Sequence, residues 1–213
     1  MIWESRIWKE ELQKELDGFT KLLDEFDYDE SDDWDNYVHY NLQMEKFFFV
    51  CAFIVRKLME SYKLSDELEA QKIHCVRHKR IEDDDTFVDF INYHHIDRFY
   101  DLDKSEEYEL ELREICNYFI HSFVLLPNDD TDGVFHGVFV NSDWIKEKYL
   151  YYVEFRVFVN MLEGVIEDDI ASMMWDRRNS NGSPRKNPII YKSRYHRSRN
   201  GKMSGGSDRE EKL

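Results

Sequence analysis

Apolar residues at three- and four-residue intervals predict two long helices in the first third of the chain. Residues 2–26 interleave such apolar positions with charged ones, which is the pattern of an amphipathic helix. Residues 37–63 form a second predicted helix, whose centre, FFFVCAFIV, is apolar on all sides. A helix of that kind belongs in the middle of a bundle, because no side of it favours water. The acidic segment 24–35 is interpreted as a solvated connection, since it lacks the glycine that a calcium loop needs at its sixth position.

A third helix is predicted over residues 105–126, and candidate chemistry lies on it. Early glutamates suit the positive end of a helix, and Pro127 marks its end. At 100° per residue, residues 110–126 present one apolar arc and a separate polar stripe. Side chains four residues apart stack on one face, and the stripe consists of Arg113, Asn117 and His121.

The remaining pattern predicts a small sheet and one more helix. Residues 72–81 alternate in the manner of a strand, and residues 134–141 and 148–155 form a predicted strand pair rich in Val, Phe and Tyr. Residues 87–102 are aromatic-rich and indicate a mixture of loop and short helix. From Phe155 the apolar spacing becomes helical, so a last helix is expected to run to about Trp175.

The last 37 residues differ in composition from the rest of the chain. Residues 177–213 hold 11 Lys and Arg against 3 Asp and Glu, and Pro, Gly, Ser and Asn dominate among the others. Such a segment buries too little apolar surface to fold alone, so it is predicted to be a disordered basic tail. The expected fold class is therefore α+β, mainly α. A helical bundle core with a small antiparallel sheet forms a single domain over residues 1–176.

Charge and cysteine content limit the compartment and the partners. The net charge is −16, and residues 1–176 alone carry 18 basic and 42 acidic groups, so the body repels nucleic acid at long range. Three cysteines without CxxC spacing do not form a disulfide framework.

The N-terminal residues lack the apolar core of a signal peptide, and the longest apolar run, residues 47–55, is too short to span a bilayer. We therefore expect a cytoplasmic protein that does not bind membranes.

Two groups of histidines are candidates for a catalytic or metal-binding site, but surface or packing roles explain both groups better. The first comprises His74, Cys75 and His78, and the second comprises His94, His95 and Asp97. A zinc site needs three or four convergent ligands, usually in closer pairs, so surface histidines on a basic strand are the preferred reading of the first group. Adjacent histidines generally point in opposite directions, which weakens the second. No metal or cofactor is expected. The chain also lacks Walker, GxGxxG, GxSxG and HExxH motifs.

Residues 116–121, CNYFIH, resemble the signature of the HEPN superfamily of α-helical ribonucleases and nucleotide-binding modules. That signature has an arginine, then a polar residue such as Asn, and a histidine four to six residues beyond the arginine. Asn117 and His121 match the polar residue and the histidine, while Cys116 occupies the arginine position. Arg113, one turn earlier, and Arg56, on a neighbouring predicted helix, are the candidates to replace the missing cation.

The resemblance implies metal-independent RNA cleavage by a homodimer in which two copies of the site meet, in a toxin or phage-defence setting. A histidine with a pKa near ~6.5 can exchange the proton of the RNA 2′-OH at neutral pH. The resemblance assigns that role to His121, the holding of the ring or a phosphate oxygen to Asn117, and charge neutralisation to Arg113 or Arg56. A site without its arginine would bind RNA and cleave it poorly or not at all.

Other interpretations remain open. The acidic body is also typical of a non-enzymatic interaction protein that binds a basic partner or mimics nucleic acid. A helical scaffold whose partner is another protein is a third reading. In the tail, arginines beside tyrosines suit single-stranded nucleic acid, but a basic tail lying loosely on the acidic body explains them equally well. The residues concerned are Tyr191, Arg194, Tyr195, Arg197 and Arg199.

Overall fold

A computed structural model describes residues 2–26, 34–82 and 87–194, of which 43% are helical and 35% are in strands. Helices and strands alternate along most of the chain. The helices are α1 (Ser5–Glu25), α2 (Trp34–Glu60), α3 (Asp66–Glu69), α4 (Ile96–Phe99), α5 (Leu112–Ile120) and α6 (Phe155–Glu167). The strands are β1 (Lys72–Arg80), β2 (Tyr100–Glu111), β3 (Ser122–Asp129), β4 (Phe135–Ser142), β5 (Tyr149–Glu154), β6 (Ile170–Arg178) and β7 (Pro184–Arg194).

Five of the strands form one antiparallel sheet in the order β2-β1-β5-β4-β3. The central strand, β5, pairs with β1 on one side and with β4 on the other. The pairing of Val76 with Tyr152 therefore joins distant parts of the chain. Strands β6 and β7 form a separate two-stranded hairpin.

The main core lies between one face of this sheet and the helices α1, α2, α5 and α6. Phe48 of α2 is fully buried, with its ring centroid 4.8 Å from that of Phe119 on α5 and 4.7 Å from that of Phe158 on α6. The sheet contributes inward-facing residues such as Val140 and Val153, which are also fully buried. Close aromatic packing of this kind adds to the stabilisation that apolar burial already provides.

The opposite face of the sheet has a smaller core beneath the segment 87–99. Tyr100 is its most buried aromatic side chain, and its hydroxyl donates a hydrogen bond to the Lys146 carbonyl at 2.6 Å. The amide of Asn141 donates to the same hydroxyl at 2.8 Å. Burial raises the pKa of Tyr100 to about 12, so the hydroxyl remains a neutral donor at physiological pH.

The prediction of one helix over residues 105–126 is wrong. This stretch contains the end of β2, the nine-residue α5 and most of β3. Residues 107–111 alternate acidic and apolar side chains in the manner of a strand, and Tyr108 pairs with Cys75 of β1. A capping box between Glu111 and Glu114 then starts α5, which supplies a local reason for the change from strand to helix.

The prediction of a mainly helical bundle is also wrong, because a five-stranded sheet is a full layer of the fold. The last long helix ends at Glu167 and does not reach Trp175, which lies in β6. Residues 177–194, expected to be disordered, belong to the β6–β7 hairpin, and the domain boundary predicted at residue 176 falls inside it. The predicted tail residues 195–213 lie outside the described residues.

A buried polar cluster explains why the chain turns into this hairpin. The Asp168 carboxylate is 1% exposed and accepts hydrogen bonds from the backbone N–H and the hydroxyl of Ser65, at 2.8 and 2.6 Å. Lys9 of α1 donates to the Asp168 carbonyl, and Arg194 of β7 lies 3.5 Å from the carboxylate. These long-range contacts end α6 and hold the base of the hairpin against α1 and α3.

Several local predictions are confirmed. Helices α1 and α2 lie within three residues of the predicted bounds, β1 matches the predicted strand, and β4 and β5 pair as expected. The aromatic-rich segment 87–102 contains the short helix α4, although β2 already begins at Tyr100. Most of the acidic connection, residues 27–33, lies outside the described residues, and so do residues 83–86, in the segment 82–86 whose sequence, EDDDT, predicts a turn.

Two glycines provide a matched test of this architecture. A Cβ at Gly137 of β4 would lie 2.3 Å from the Val153 carbonyl oxygen, whereas a Cβ at Gly18 of α1 would meet no heavy atom within 4 Å. We expect Gly137→Ala to destabilise the fold by about 1–3 kcal/mol, because the backbone of β5 must move. Gly18→Ala should stabilise it by about 0.5–1 kcal/mol through helix propensity. Urea unfolding checks both, and equal effects would contradict the close approach of β4 and β5.

Candidate functional site

An apolar groove of about 470 Å³ lies between α1, α2 and the end of α5. Its walls come from consecutive turns of the two long helices, and Ile120, the last residue of α5, closes one side. The lining residues are Trp8, Glu11, Glu15, Phe49, Val50, Phe53, Ile54 and Ile120. The groove is thus built on the most regular elements of the fold and not on loops.

The groove exists because α2 has two apolar faces and only one of them is covered. Its inner face packs in the main core, whereas an outer stripe remains between 38% and 55% exposed. At 3.6 residues per turn, the stripe residues fall within an arc of about 60°. They are Val38, Leu42, Phe49 and Phe53. Glu45 and Lys46 separate Leu42 from Phe49, so the stripe consists of two apolar patches on one helix face. Clustered exposed apolar residues mark interaction surfaces, whereas single ones are ordinary.

No helix in residues 2–26, 34–82 and 87–194 has both the length and the apolar character needed to cross a membrane. This holds for α2 despite its 27 residues. Polar and charged residues flank its apolar centre, residues 47–55, on both sides.

Carboxylates line the α1 side of the groove. Glu11 pairs with Lys14 of the same helix at 2.6 Å. Glu15, one turn later, is half-buried and has no hydrogen-bond or ion-pair partner in the part of the chain that the structure describes. Burial, and to a smaller extent the charge of Glu15, raise the pKa of the Cys51 thiol of α2. The groove thus combines apolar walls with an uncompensated negative charge.

The three residues of the predicted polar stripe lie along α5 and at its C-terminal end. Arg113 lies in the first turn of α5, Asn117 is half-buried, and His121 is the exposed C-cap residue. A rise of 1.5 Å per residue puts the backbones of Arg113 and His121 about 12 Å apart along the helix axis. Within the described residues, no side-chain hydrogen bond joins any two members of this stripe. The stripe therefore does not form a single compact site in one chain.

Cys116, which stands where the predicted HEPN resemblance would place an arginine, is a buried thiol of α5. Cys116 is 1% exposed, and burial raises its pKa to about 12, while the charges of Arg56 and Arg113 oppose that rise. Arg56 Nε donates to Glu60 at 2.9 Å, and its Nη1 atom is buried without a partner among the described residues. Of the two candidate arginines, Arg56 is thus paired with a glutamate, and Arg113 has no ion pair among the described residues.

The histidine groups do not form a metal site in the described ranges, where no three His, Cys, Asp or Glu side chains are grouped to hold an ion. His74 is exposed and lies 3.4 Å from Glu109, whereas the buried His78 ring lies 3.2 Å from the Asp101 carbonyl. The ring centroids of His94 and His95 are 4.0 Å apart. The expectation that these adjacent histidines point in opposite directions is therefore wrong.

Sequence reasoning did not identify the groove. Its signal was present in FFFVCAFIV, because a helix that is apolar on all sides must either be surrounded or leave one face uncovered. The pattern alone did not show which residues α1 leaves uncovered.

Comparison with known proteins adds no family assignment. The chain matches no protein-family model, no curated protein and no solved structure. Nothing in these comparisons bears on the HEPN resemblance, which stays a prediction.

Two adjacent phenylalanines of α2 allow its role in folding and its role in the groove to be tested separately. Phe48 is fully buried and Phe49 is 38% exposed in the groove. We expect Phe48→Ala to cost about 3–5 kcal/mol of unfolding free energy, because it leaves a cavity between three helices. Phe49→Ala should change it by only about 0.5 kcal/mol, as a surface substitution does. Chemical denaturation of the two variants measures the difference, and a large loss in Phe49→Ala would show that this ring serves the fold.

Proposed function

We propose that this protein is a non-enzymatic interaction protein that binds a basic, amphipathic helix of another protein in the α1–α2 groove. The observation that carries the proposal is the exposed apolar stripe of α2 beside the unpaired carboxylate of Glu15. An amphipathic helix that lays its apolar face in such a groove is a recurring mode of protein recognition.

The dimensions of the stripe suit a helical partner. Val38 and Phe53 are 15 residues apart, which corresponds to about 22 Å along α2. A partner helix of about 15 residues, with anchors at every third or fourth position, would cover that length. The groove offers three aromatic rings, Trp8, Phe49 and Phe53, and aromatic residues are enriched in protein interfaces.

Charge favours a basic partner over a second copy of the chain. Residues 1–176 carry a net charge of −24, so two copies repel each other at long range, whereas a basic segment is attracted. Glu15 gives this general attraction a specific location, because a lysine or arginine next to the partner's apolar face can pair with it. The homodimer expected from sequence is the competing assembly, and the oligomeric state in solution distinguishes the two.

A cytoplasmic location belongs to the same proposal. The three cysteines, Cys51, Cys75 and Cys116, are buried free thiols, which suits a reducing compartment.

Isothermal titration with two synthetic 18-residue helices tests the groove. One helix has a leucine face and lysines elsewhere, and the other keeps the leucine face with glutamates in place of the lysines. We expect the lysine peptide to bind and the glutamate peptide to bind at least about 10-fold more weakly, because only the first compensates Glu15. Phe53→Ala should weaken the lysine peptide by roughly 30-fold, as expected for a hot-spot aromatic.

Two controls make this result specific. Trp144→Ala removes an aromatic ring that is 92% exposed elsewhere, and it should leave peptide binding unchanged. A lysine peptide with a scrambled apolar pattern should bind no better to the wild type than to Phe53→Ala. If all peptides bound all variants equally, the interaction would be a non-specific one, and the proposal would be overturned. A dimer that Phe53→Ala dissociates in analytical ultracentrifugation would assign the groove to a second copy instead.

The second candidate function is RNA cleavage at His121, favoured by the exposure of that ring next to Ile120 of the groove. Arg113 lies about 12 Å from His121 along α5, so these two side chains do not contact each other directly. The dimer that the resemblance implies would bring a second copy of Arg113 and Arg56 towards His121.

Cleavage of labelled RNA in the presence of EDTA tests this candidate. If His121 is the proton-transfer group, His121→Ala should lower the rate by about 10²–10⁴-fold while thermal stability is kept. His94→Ala, which alters an exposed histidine on the other face of the sheet, serves as the matched control. Absence of EDTA-resistant cleavage by the wild-type protein would exclude the candidate.

A further inference from the structure

The β6–β7 hairpin is the most exposed element among the described residues. Almost every residue of β6 is solvent-exposed, and the hairpin pairs with no third strand in the described ranges. Its large apolar side chains therefore face water: Met174, Trp175 and Tyr191 are between 52% and 68% exposed. A two-stranded ribbon with this composition has no core of its own, so burial does not explain these residues.

The base of the hairpin is fixed to the acidic body. The ammonium group of the buried Lys192 pairs with Asp66 at 3.5 Å and with Glu69, and its backbone N–H donates to Asp66 at 2.9 Å. Arg194 pairs with Asp168 at 3.5 Å. The two cations nearest the body are therefore paired with carboxylates, and these ion pairs attach the base of the hairpin to the body.

The distal half of the hairpin carries cations without carboxylate partners. Residues 170–194 contain six Lys and Arg and one acidic residue, Asp176. Four of the six lie towards the turn, and none has an ion pair within the part of the chain that the structure describes. They are Arg177, Arg178, Arg185 and Lys186. This local excess contrasts with the net charge of −16 of the whole chain.

Aromatic residues lie within reach of these cations. The register places Met174 opposite Tyr191 on one side of the ribbon and Trp175 opposite Ile190 on the other. At about 3.3 Å per residue, Trp175 is about 10 Å along the strand from Arg178. Exposed rings beside unpaired cations are the combination that binds single-stranded nucleic acid, because bases stack on the rings while phosphates contact the cations.

We propose that the β6–β7 hairpin binds single-stranded nucleic acid, with Trp175 stacking on a base at one face of the hairpin, Tyr191 stacking on a base at the other face, and the four distal cations contacting phosphates. A duplex is the poorer ligand, because its bases are already stacked and offer no free face to the rings. The acidic body repels phosphates outside this ribbon, so the footprint should be short. This proposal is independent of the α1–α2 groove, which lies on different elements.

Fluorescence anisotropy of the full chain with labelled 20-nucleotide oligo-U, oligo-dT and a matched RNA duplex tests the proposal. We expect both single strands to bind more tightly than the duplex. Trp175→Ala and Tyr191→Ala should each weaken binding by roughly 5- to 150-fold, which is the range for loss of one stacked base. If oligo-U binds more tightly than oligo-dT, the natural ligand is RNA, and the reverse order indicates DNA.

Salt dependence tests the cations separately. Replacing Arg177, Arg178, Arg185 and Lys186 by alanine should make the slope of log K against log salt shallower by about 3, because each lost phosphate contact removes about 0.7 from a single-strand slope. The matched control is Arg6→Ala, Lys14→Ala, Lys21→Ala and Lys57→Ala, which removes four cations from α1 and α2. It should leave both the slope and the affinity within about twofold of wild type.

Three results would overturn the proposal. They are no binding of any single strand at 50 mM salt, equal binding of the duplex, or wild-type binding by the quadruple hairpin variant. Far-UV circular dichroism and thermal melting show whether each variant remains folded. A salt-sensitive self-association that the quadruple variant abolishes would instead assign the hairpin to the acidic surface of a second copy.

Discussion

Burial of the inner face of α2 is the interaction on which the rest of the structure depends. Phe48 contacts α5 and α6 at once, and Phe19 of α1 stacks on Phe47 with ring centroids 4.4 Å apart. Helices as short as α5 and α6 are not stable in isolation, so they depend on this packing. They in turn cover the five-stranded sheet, whose helix-facing residues would otherwise be exposed.

The same arrangement accounts for the groove. One helix, α1, packs along α2 and α6, and the width of a single helix cannot cover both apolar faces of α2. The uncovered face keeps Phe49 and Phe53 in contact with water, which costs solubility unless another molecule binds there. A fold that required only stability would place polar residues at these positions.

Charge is segregated in space as well as along the chain. The edge strand β2 presents glutamates that pair with cations of β1, as in Arg77 with Glu106 at 2.7 Å, and an edge of that kind resists pairing with other strands. The hairpin has a local excess of basic residues, six against one acidic residue, and only those at its base meet carboxylates of the body. Two surfaces of different character, the apolar groove with its carboxylates and the basic hairpin, therefore lie on different elements of the fold.

The amino-acid sequence by itself determined the elements whose signals are local. Regular apolar spacing sufficed for α1 and α2, and the Val-, Phe- and Tyr-rich runs sufficed for β4 and β5, because each pattern extends over several turns or alternations. It also identified the polar stripe of α5, whose spacing is a property of one helix. Where short segments change type, as between Glu111 and Ser122, helical and strand patterns overlap, and the helical interpretation of the whole stretch is wrong.

Tertiary structure alone decided the remainder. Contacts between residues more than 100 positions apart, such as Ser65 with Asp168, end α6 and convert the expected tail into a hairpin. The groove likewise depends on which face of α2 is left uncovered, and that follows from how three helices and a sheet pack together. No local pattern encodes such choices, because they arise from competition among distant segments for the same apolar surface.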